Sequence, residues 1–204
     1  MKCTDDHQGY RSRVMGLQAG VLLMAGGLLC GAWDSLAQDS PRAEYEVKAE
    51  FLPLFAQFVK WPSASFADTN APLVIGVLGD DPFGAALDRA VKNQNTAGGR
   101  RLVVKRSQDI EDVAPCHLLF VSKSEKNHID RILTVLAQGG RAVLTVGDAE
   151  GFAARGGIIN FVLQGKKVRF EINPEAAGRG GLIISWELLN LARIVHATKE
   201  KESD

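Results

Sequence analysis

The sequence predicts an α/β fold, a three-layer sandwich with a largely parallel central sheet and a C-terminal antiparallel hairpin, and three observations carry that prediction. Short apolar runs bounded by turn residues, such as "LVIGVLG" at 73–79 and "CHLLFVS" at 116–122, have the composition of strands buried on both faces. Segments with helical spacing lie between them, the alternation expected of βαβ units. Near the end, "INFVLQGKKVRFEI" at 159–172 alternates with a period of two on both sides of a Gly-Lys pair, the pattern of a hairpin.

The chain opens differently. Arg11 and Arg13 precede an apolar run from Val14 to Trp33, and Ser35 and Ala37 then occupy the two small-residue positions that signal peptidase reads. Residues 1–37 are therefore expected to be a cleaved signal peptide, and residues 38–204 a single domain. The apolar run is also close to the length of a membrane anchor, and Cys30 offers a lipidation site; both remain alternatives. Cleavage after Ala37 removes three of the 24 basic and three of the 24 acidic side chains and leaves 21 of each. A balanced charge gives no pull toward nucleic acid or anionic lipid, so neither nucleic-acid binding nor membrane insertion is expected of the mature chain. Only Cys116 would remain, which excludes an internal disulfide.

Within the domain, Gln38 to Ala43 is polar and is expected to be loose. Tyr45, Val47, Phe51, Leu54, Phe55 and Phe58 then recur at helical spacing, with Pro53 inside the pattern at the loss of one backbone bond and "KWPS" ending it. After the first strand, Asp81 and Pro82 have the order of a helix cap and first turn leading into "AALDRAVKN". "RLVVKR" is the next strand and "CHLLFVS" the one after. Ser122 with Glu125 forms a capping-box pattern for a helix through Gln138. "RAVLTVGD" supplies a further strand, and Gly151 to Ala154 a short helix.

With Gly165 and Lys166 as the turn, Leu163 faces Val168, Phe161 faces Phe170 and Ile159 faces Ile172, all apolar and on one face. Val162 with Arg169 and Asn160 with Glu171 fall on the other. A slip of one residue destroys this sorting, so the register is well specified. Asn173 caps a turn of helix begun by Pro174, and "LIISWELLNLARIV" at 182–195, apolar nearly all round, is expected to be one helix buried in the core. The charged tail "TKEKESD" is expected to fray.

Few residues suggest chemistry. Asn160, Arg169 and Glu171 share the polar face of the hairpin, where they form either the wet side of a sheet or a surface that recognises a partner. Cys116 and His117 are neighbours on a strand and point to opposite faces, so they cannot act as nucleophile and base, and the thiol is expected to be buried and inert. No metal-ligand spacing, phosphate-binding glycine pattern or nucleophile elbow occurs. Asp80, Ser122 and Asp148 fall at the carboxyl ends of parallel strands, where α/β folds bind ligands; they are either a solute-binding crevice or ordinary helix caps.

Four stretches carry a resemblance to a known family: "VKAEFLPLFAQFVKWP", "IGVLGDDPFG", "CHLLFVS", and "GGIINFVLQGKKVRFEINPEAAGRGGLIIS" followed by "LLNLARIV". In order and content they resemble the YfiR family of exported bacterial proteins. The resemblance implies a periplasmic α/β domain that tends to form homodimers. It also implies a negative regulator that binds the periplasmic domain of an inner-membrane diguanylate cyclase, restraining cyclic di-GMP synthesis, biofilm formation and polysaccharide production. Neither enzymatic activity nor a cofactor is expected, and Asn160, Arg169 and Glu171 are the expected partner surface. Pro53 and the lone Cys116 depart from the family pattern, and the second excludes control through internal disulfides. The alternative is a periplasmic module that binds a small solute at Asp80, Ser122 and Asp148 and signals to another membrane protein.

Overall fold

The computed structural model describes residues 41–92, 94 and 99–197; the segment read as a signal peptide and the charged tail lie outside these residues. Nine strands and six α-helices occur among the described residues. In chain order they are α1 (Pro41–Gln57), β1 (Val59–Lys60), β2 (Leu73–Leu78), α2 (Ala85–Lys92), β3 (Leu102–Ser107), α3 (Ile110–Val113), β4 (Leu118–Val121) and α4 (Ile129–Gln138). There follow β5 (Leu144–Gly147), β6 (Ile159–Gln164), β7 (Lys167–Ile172), α5 (Pro174–Arg179), β8 (Ile183–Ile184), α6 (Trp186–Leu191) and β9 (Arg193–Ile194).

Seven strands form one sheet in the order β3-β2-β4-β5-β6-β7-β9, parallel except for the β6–β7 hairpin, and β1 with β8 makes a separate antiparallel pair. The sandwich follows from the alternation along each strand. In β4, Leu118 and Phe120 join one core cluster with Leu52 and Phe55 of α1 and Leu87 of α2. Leu119 and Val121 join the other, with Val113 of α3 and Ile129, Ile132 and Leu136 of α4. All four β4 side chains are buried, as a strand covered on both faces requires. On the α1 side, Phe51 and Phe55 meet Phe161 and Phe170 of the hairpin with ring centroids 5.2–6.0 Å apart. The hairpin has the predicted register at every pair, and Gly165 takes the left-handed φ of +61° that its turn needs.

Several expectations need correction. The first helix begins at Pro41, inside the segment read as loose, because the fixed φ of proline suits a first helical turn. Asp81 does not cap α2: Gly84, at φ +48°, separates them, and Asp81 Oδ1 instead accepts the Phe83 N–H at 2.8 Å. Ser122 caps only a 3₁₀ turn at Lys123–Glu125, after which α4 starts separately at Ile129. Gly151 to Ala154 is a turn, not a helix, built around Phe152. That ring lies so close to Gly147 and Gly157 that a Cβ added there would come within 2.6 and 2.2 Å of it.

The largest departure concerns 182–195. One buried helix was expected, and the segment is instead β8, the six-residue α6 and β9. Leu182 and Leu188 reach the core, whereas Ile183, Trp186 and Leu191 are 66%, 68% and 73% exposed. Two edge pairings compete with helix here: Val59–Ile184 and Lys60–Ile183 at one end, Glu171–Arg193 and Ile172–Ile194 at the other. Among the described residues no helix is long and apolar enough to cross a membrane.

Candidate functional site

Asn160 and Glu171 sit opposite each other on β6 and β7, as the register predicts, but they are not on a wet surface. They are 1% and 5% exposed. β9 lies alongside β7 and brings Arg193 onto Glu171 as an ion pair, so the supposed solvent face is partly covered. The Asn160 amide can be used in two ways. In one, Nδ2 donates to Glu171 Oε2 at 3.3 Å; turned over, it donates to the Ala149 and Gly147 carbonyls at 3.1 and 3.2 Å. Arg169, two residues from Glu171, stays exposed and makes no ion pair with another described residue. With Leu163 and Leu191 it lines a groove of about 350 Å³ beside β9.

The buried polar pair opens onto a cleft of about 1200 Å³ that also takes in the loop after β5 and the first turns of α1. Lys48 lines it. This lysine has the i, i+4, i+7 spacing with Leu52 and Phe55 that places it on the core-facing stripe of α1, and its side chain is only 4% exposed. A buried ammonium needs partners. Lys48 Nζ finds Glu44, one turn back, at 2.5 Å and Asp148 Oδ2 at 3.0 Å, and lies 4.3 Å from the centre of the Tyr45 ring. The Tyr45 hydroxyl donates to the same Asp148 oxygen at 2.7 Å. Burial, and then the Asp148 carboxylate, hold the Tyr45 phenol well above its ordinary range. The Asp148 side chain is 1% exposed, and its other oxygen, Oδ1, is buried with no hydrogen-bond partner.

Of the three strand-end residues, only Asp148 lines this cleft. β2 and β4 are neighbours while β3 lies on the other side of β2, so their carboxyl ends form the switch point where a crevice was expected. The turn after β4 fills it. Ser124 Oγ accepts the Asp80 N–H at 3.0 Å and packs on Gly79, where a Cβ would lie 2.4 Å from that oxygen. The Ser122 hydroxyl is spent on the Ser124 N–H, and Asp80 Oδ1 accepts from Gln108. Lys48 and Tyr45 were not singled out in the sequence, although a lysine on the apolar stripe of α1 is a signal that can be found there.

The Cys116–His117 pair divides as strand geometry requires. Cys116 joins the α3–α4 side of the core, where burial pushes its thiol up to about 12. His117 stacks on Phe66 on the other side, with ring centroids 4.5 Å apart. Its Nδ1 accepts the Val74 N–H at 3.1 Å and its Nε2 donates to the Ser65 carbonyl at 3.0 Å, which fixes the tautomer. Burial lowers its affinity for a second proton. Among the described residues no three His, Cys, Asp or Glu side chains gather closely enough to hold a metal ion.

The profile of the family described as YfiR/HmsC-like matches residues 45–193. Among solved structures, a conserved domain protein from Vibrio cholerae O1 biovar El Tor str. N16961 superposes with a TM-score of 0.50 at 14% identity. That match covers 74% of this chain and 59% of the other. The ABC domain from Streptococcus pneumoniae in complex with L-Trp gives 0.48 at 11% identity, over 72% of this chain and 60% of that one. The chain thus spans about 60% of the length of the solved chains it matches. At 14% identity the likeness to the Vibrio protein is one of α/β fold alone.

Proposed function

The chain belongs to the YfiR/HmsC-like family of periplasmic regulators of diguanylate cyclase signalling, and on that premise we propose that it is a repressor. In this reading residues 1–37 direct export and are removed. The folded domain then binds the periplasmic domain of an inner-membrane diguanylate cyclase and favours its inactive form, a population shift that needs no chemistry from the chain itself. The observation that carries the reading is the family match, which spans both core clusters and the hairpin.

The surface proposed for the partner is narrower than the three hairpin residues. Arg169 is its exposed member, flanked by Leu163 and Leu191, which are 52% and 73% exposed. An arginine beside apolar side chains is a common anchor at protein interfaces. Glu171, with Asn160 beside it, contributes from beneath by holding Arg193. Arg169→Ala is expected to weaken capture of the cyclase periplasmic domain by about tenfold while changing stability by less than about 1 kcal/mol. A homodimer belongs to the same proposal, and exposed Ile183 and Trp186 support a surface for a second copy.

The decisive experiment measures cellular cyclic di-GMP in three strains: one lacking the gene, one complemented with the full chain, and one complemented with residues 38–204 alone. The expected result is a rise on deletion that only the full chain reverses. An unchanged level on deletion would remove the repressor role.

A further inference from the structure

We propose that the cleft beside Lys48 and Asp148 is a binding site for a small hydroxylated monocarboxylate, a sugar acid by chemical class. The inference stands apart from repression of a cyclase and rests on which polar groups in the cleft are committed and which are not.

Four buried polar side chains converge there: Lys48, Asp148, Asn160 and Glu171. Three are provided for within the chain. Lys48 is shared between Glu44 and Asp148, Glu171 is held by Arg193, and the Asn160 amide is taken up by Glu171 or by the carbonyls on either side of residue 148. Asp148 differs. Tyr45 and Lys48 both direct their donors to Oδ2, and no protein group donates to Oδ1. A buried carboxylate oxygen without a donor is uncommon in native proteins, and the two side-chain donors that reach this carboxylate both go to its other oxygen. The missing donor is assigned to a ligand in the cleft that Asp148 lines.

The charge around Asp148 selects the kind of donor. The Lys48 ammonium is already 3.0 Å from Oδ2, so a second cation at Oδ1 would be held against a like charge in a poorly solvated place. A neutral hydroxyl satisfies the oxygen without that repulsion. At the rim, Lys123 and Lys126 line the same cleft, three residues apart and so on one side of the turn after β4. Both are exposed, and neither forms an ion pair with another described residue. Arg155, the next rim cation, is committed to Asp130 at 2.5 Å. Two uncommitted lysines suit a carboxylate, whereas Glu150 on the same wall disfavours anions of higher charge. A hydroxyl donor at the buried end and one carboxylate at the rim define the ligand class.

The test uses protein purified from cells expressing the full chain, titrated calorimetrically with sodium glucuronate, glucose, sodium acetate and glycine. Glucuronate is expected to bind saturably and raise Tm, with each of the other three at least about tenfold weaker, because each lacks one of the two recognised groups or carries an ammonium. The double variant Lys123→Gln with Lys126→Gln alters exposed side chains only. It is expected to keep the wild-type Tm without ligand and to lose about tenfold in glucuronate affinity. Absence of saturable glucuronate binding, equal binding of glucose, acetate or glycine, or wild-type affinity in the double variant would each overturn the proposal. None of these results bears on cyclic di-GMP levels, so the two readings fail separately.

Discussion

Replacing Lys48 with methionine tests the polar centre of the fold. The side chain is 4% exposed and its partner Asp148 1%, with 3.0 Å between ammonium and carboxylate. Removing one member of a buried pair strands the other charge, at a cost of about 3–5 kcal/mol. Here Asp148 keeps the Tyr45 hydroxyl at 2.7 Å, and a hydrogen bond to a charged group contributes about 1.5–3 kcal/mol, so the lower end, about 3 kcal/mol, is expected. For a domain of this size that is a fall in Tm of roughly 6–12 °C. Methionine fills a similar volume next to Phe161, whose ring lies 5.7 Å from Nζ, so lost packing adds little. Urea unfolding followed by circular dichroism gives the number, provided the slope m is unchanged. The double variant Lys48→Met with Asp148→Leu removes the stranded charge but leaves the Tyr45 hydroxyl without its acceptor, so it is expected to recover part, not all, of the loss. A loss under about 1 kcal/mol in the single variant, or a double variant no more stable than the single, would refute the reasoning.

Other outcomes follow from the buried titratable groups and from the tightest contact. His117 is held neutral by burial, so below its ordinary value of 6.5 the unfolded chain takes up a proton that the folded chain refuses; stability should fall as pH drops through 6.5, and His117→Gln should flatten that slope in urea titrations. Cys116 has the opposite consequence. Its thiol stays protonated in the fold above the ordinary 9.0, so stability should decline as pH rises from about 9.0 toward 12, and alkylation at pH 8 should require unfolding. Gly157→Ala drives a methyl into the Phe152 ring and is expected to cost about 1–3 kcal/mol, most of it recovered when Phe152→Leu is added; an additive pair of losses in thermal melts would show that the ring is not the obstacle.

Where one local rule dominated, the sequence was legible. The hairpin register could be worked out because Phe161, Phe170, Ile159 and Ile172 sort to one side only in one pairing, and the structure has that pairing. β4 was legible for a related reason: four consecutive apolar residues fit a strand covered on both faces. Burial of Asn160 and Glu171 was not legible, because Glu171 is met by Arg193 of the two-residue β9 and Asn160 by the loop after β5, neither of which a periodicity window reports. The same short pairings dissolved the expected C-terminal helix, since an all-apolar pattern does not reveal whether an edge strand will claim its ends. Asp81 and Ser122 have good capping chemistry, yet Gly84 separated one from its helix and a 3₁₀ turn used up the other. Of the polar cleft, Asp148 was visible as a strand-end residue. Its partners Tyr45 and Lys48 lie about a hundred residues away in sequence, a distance across which no local pattern reports.

That separation also governs when the molecule can close. A ribosome delivers Phe51 and Phe55 early, but the rings they pack against belong to residues 161 and 170, and β1 waits for a partner at 183–184. Until those strands emerge, the Phe51 and Phe55 rings of α1 lack half of their partners, although Leu87, Leu118, Phe120 and the carboxylate of Asp148 are already in place. The hairpin aromatics and the β1–β8 pair therefore close the α1 side of the core only when the C-terminal third of the chain is present.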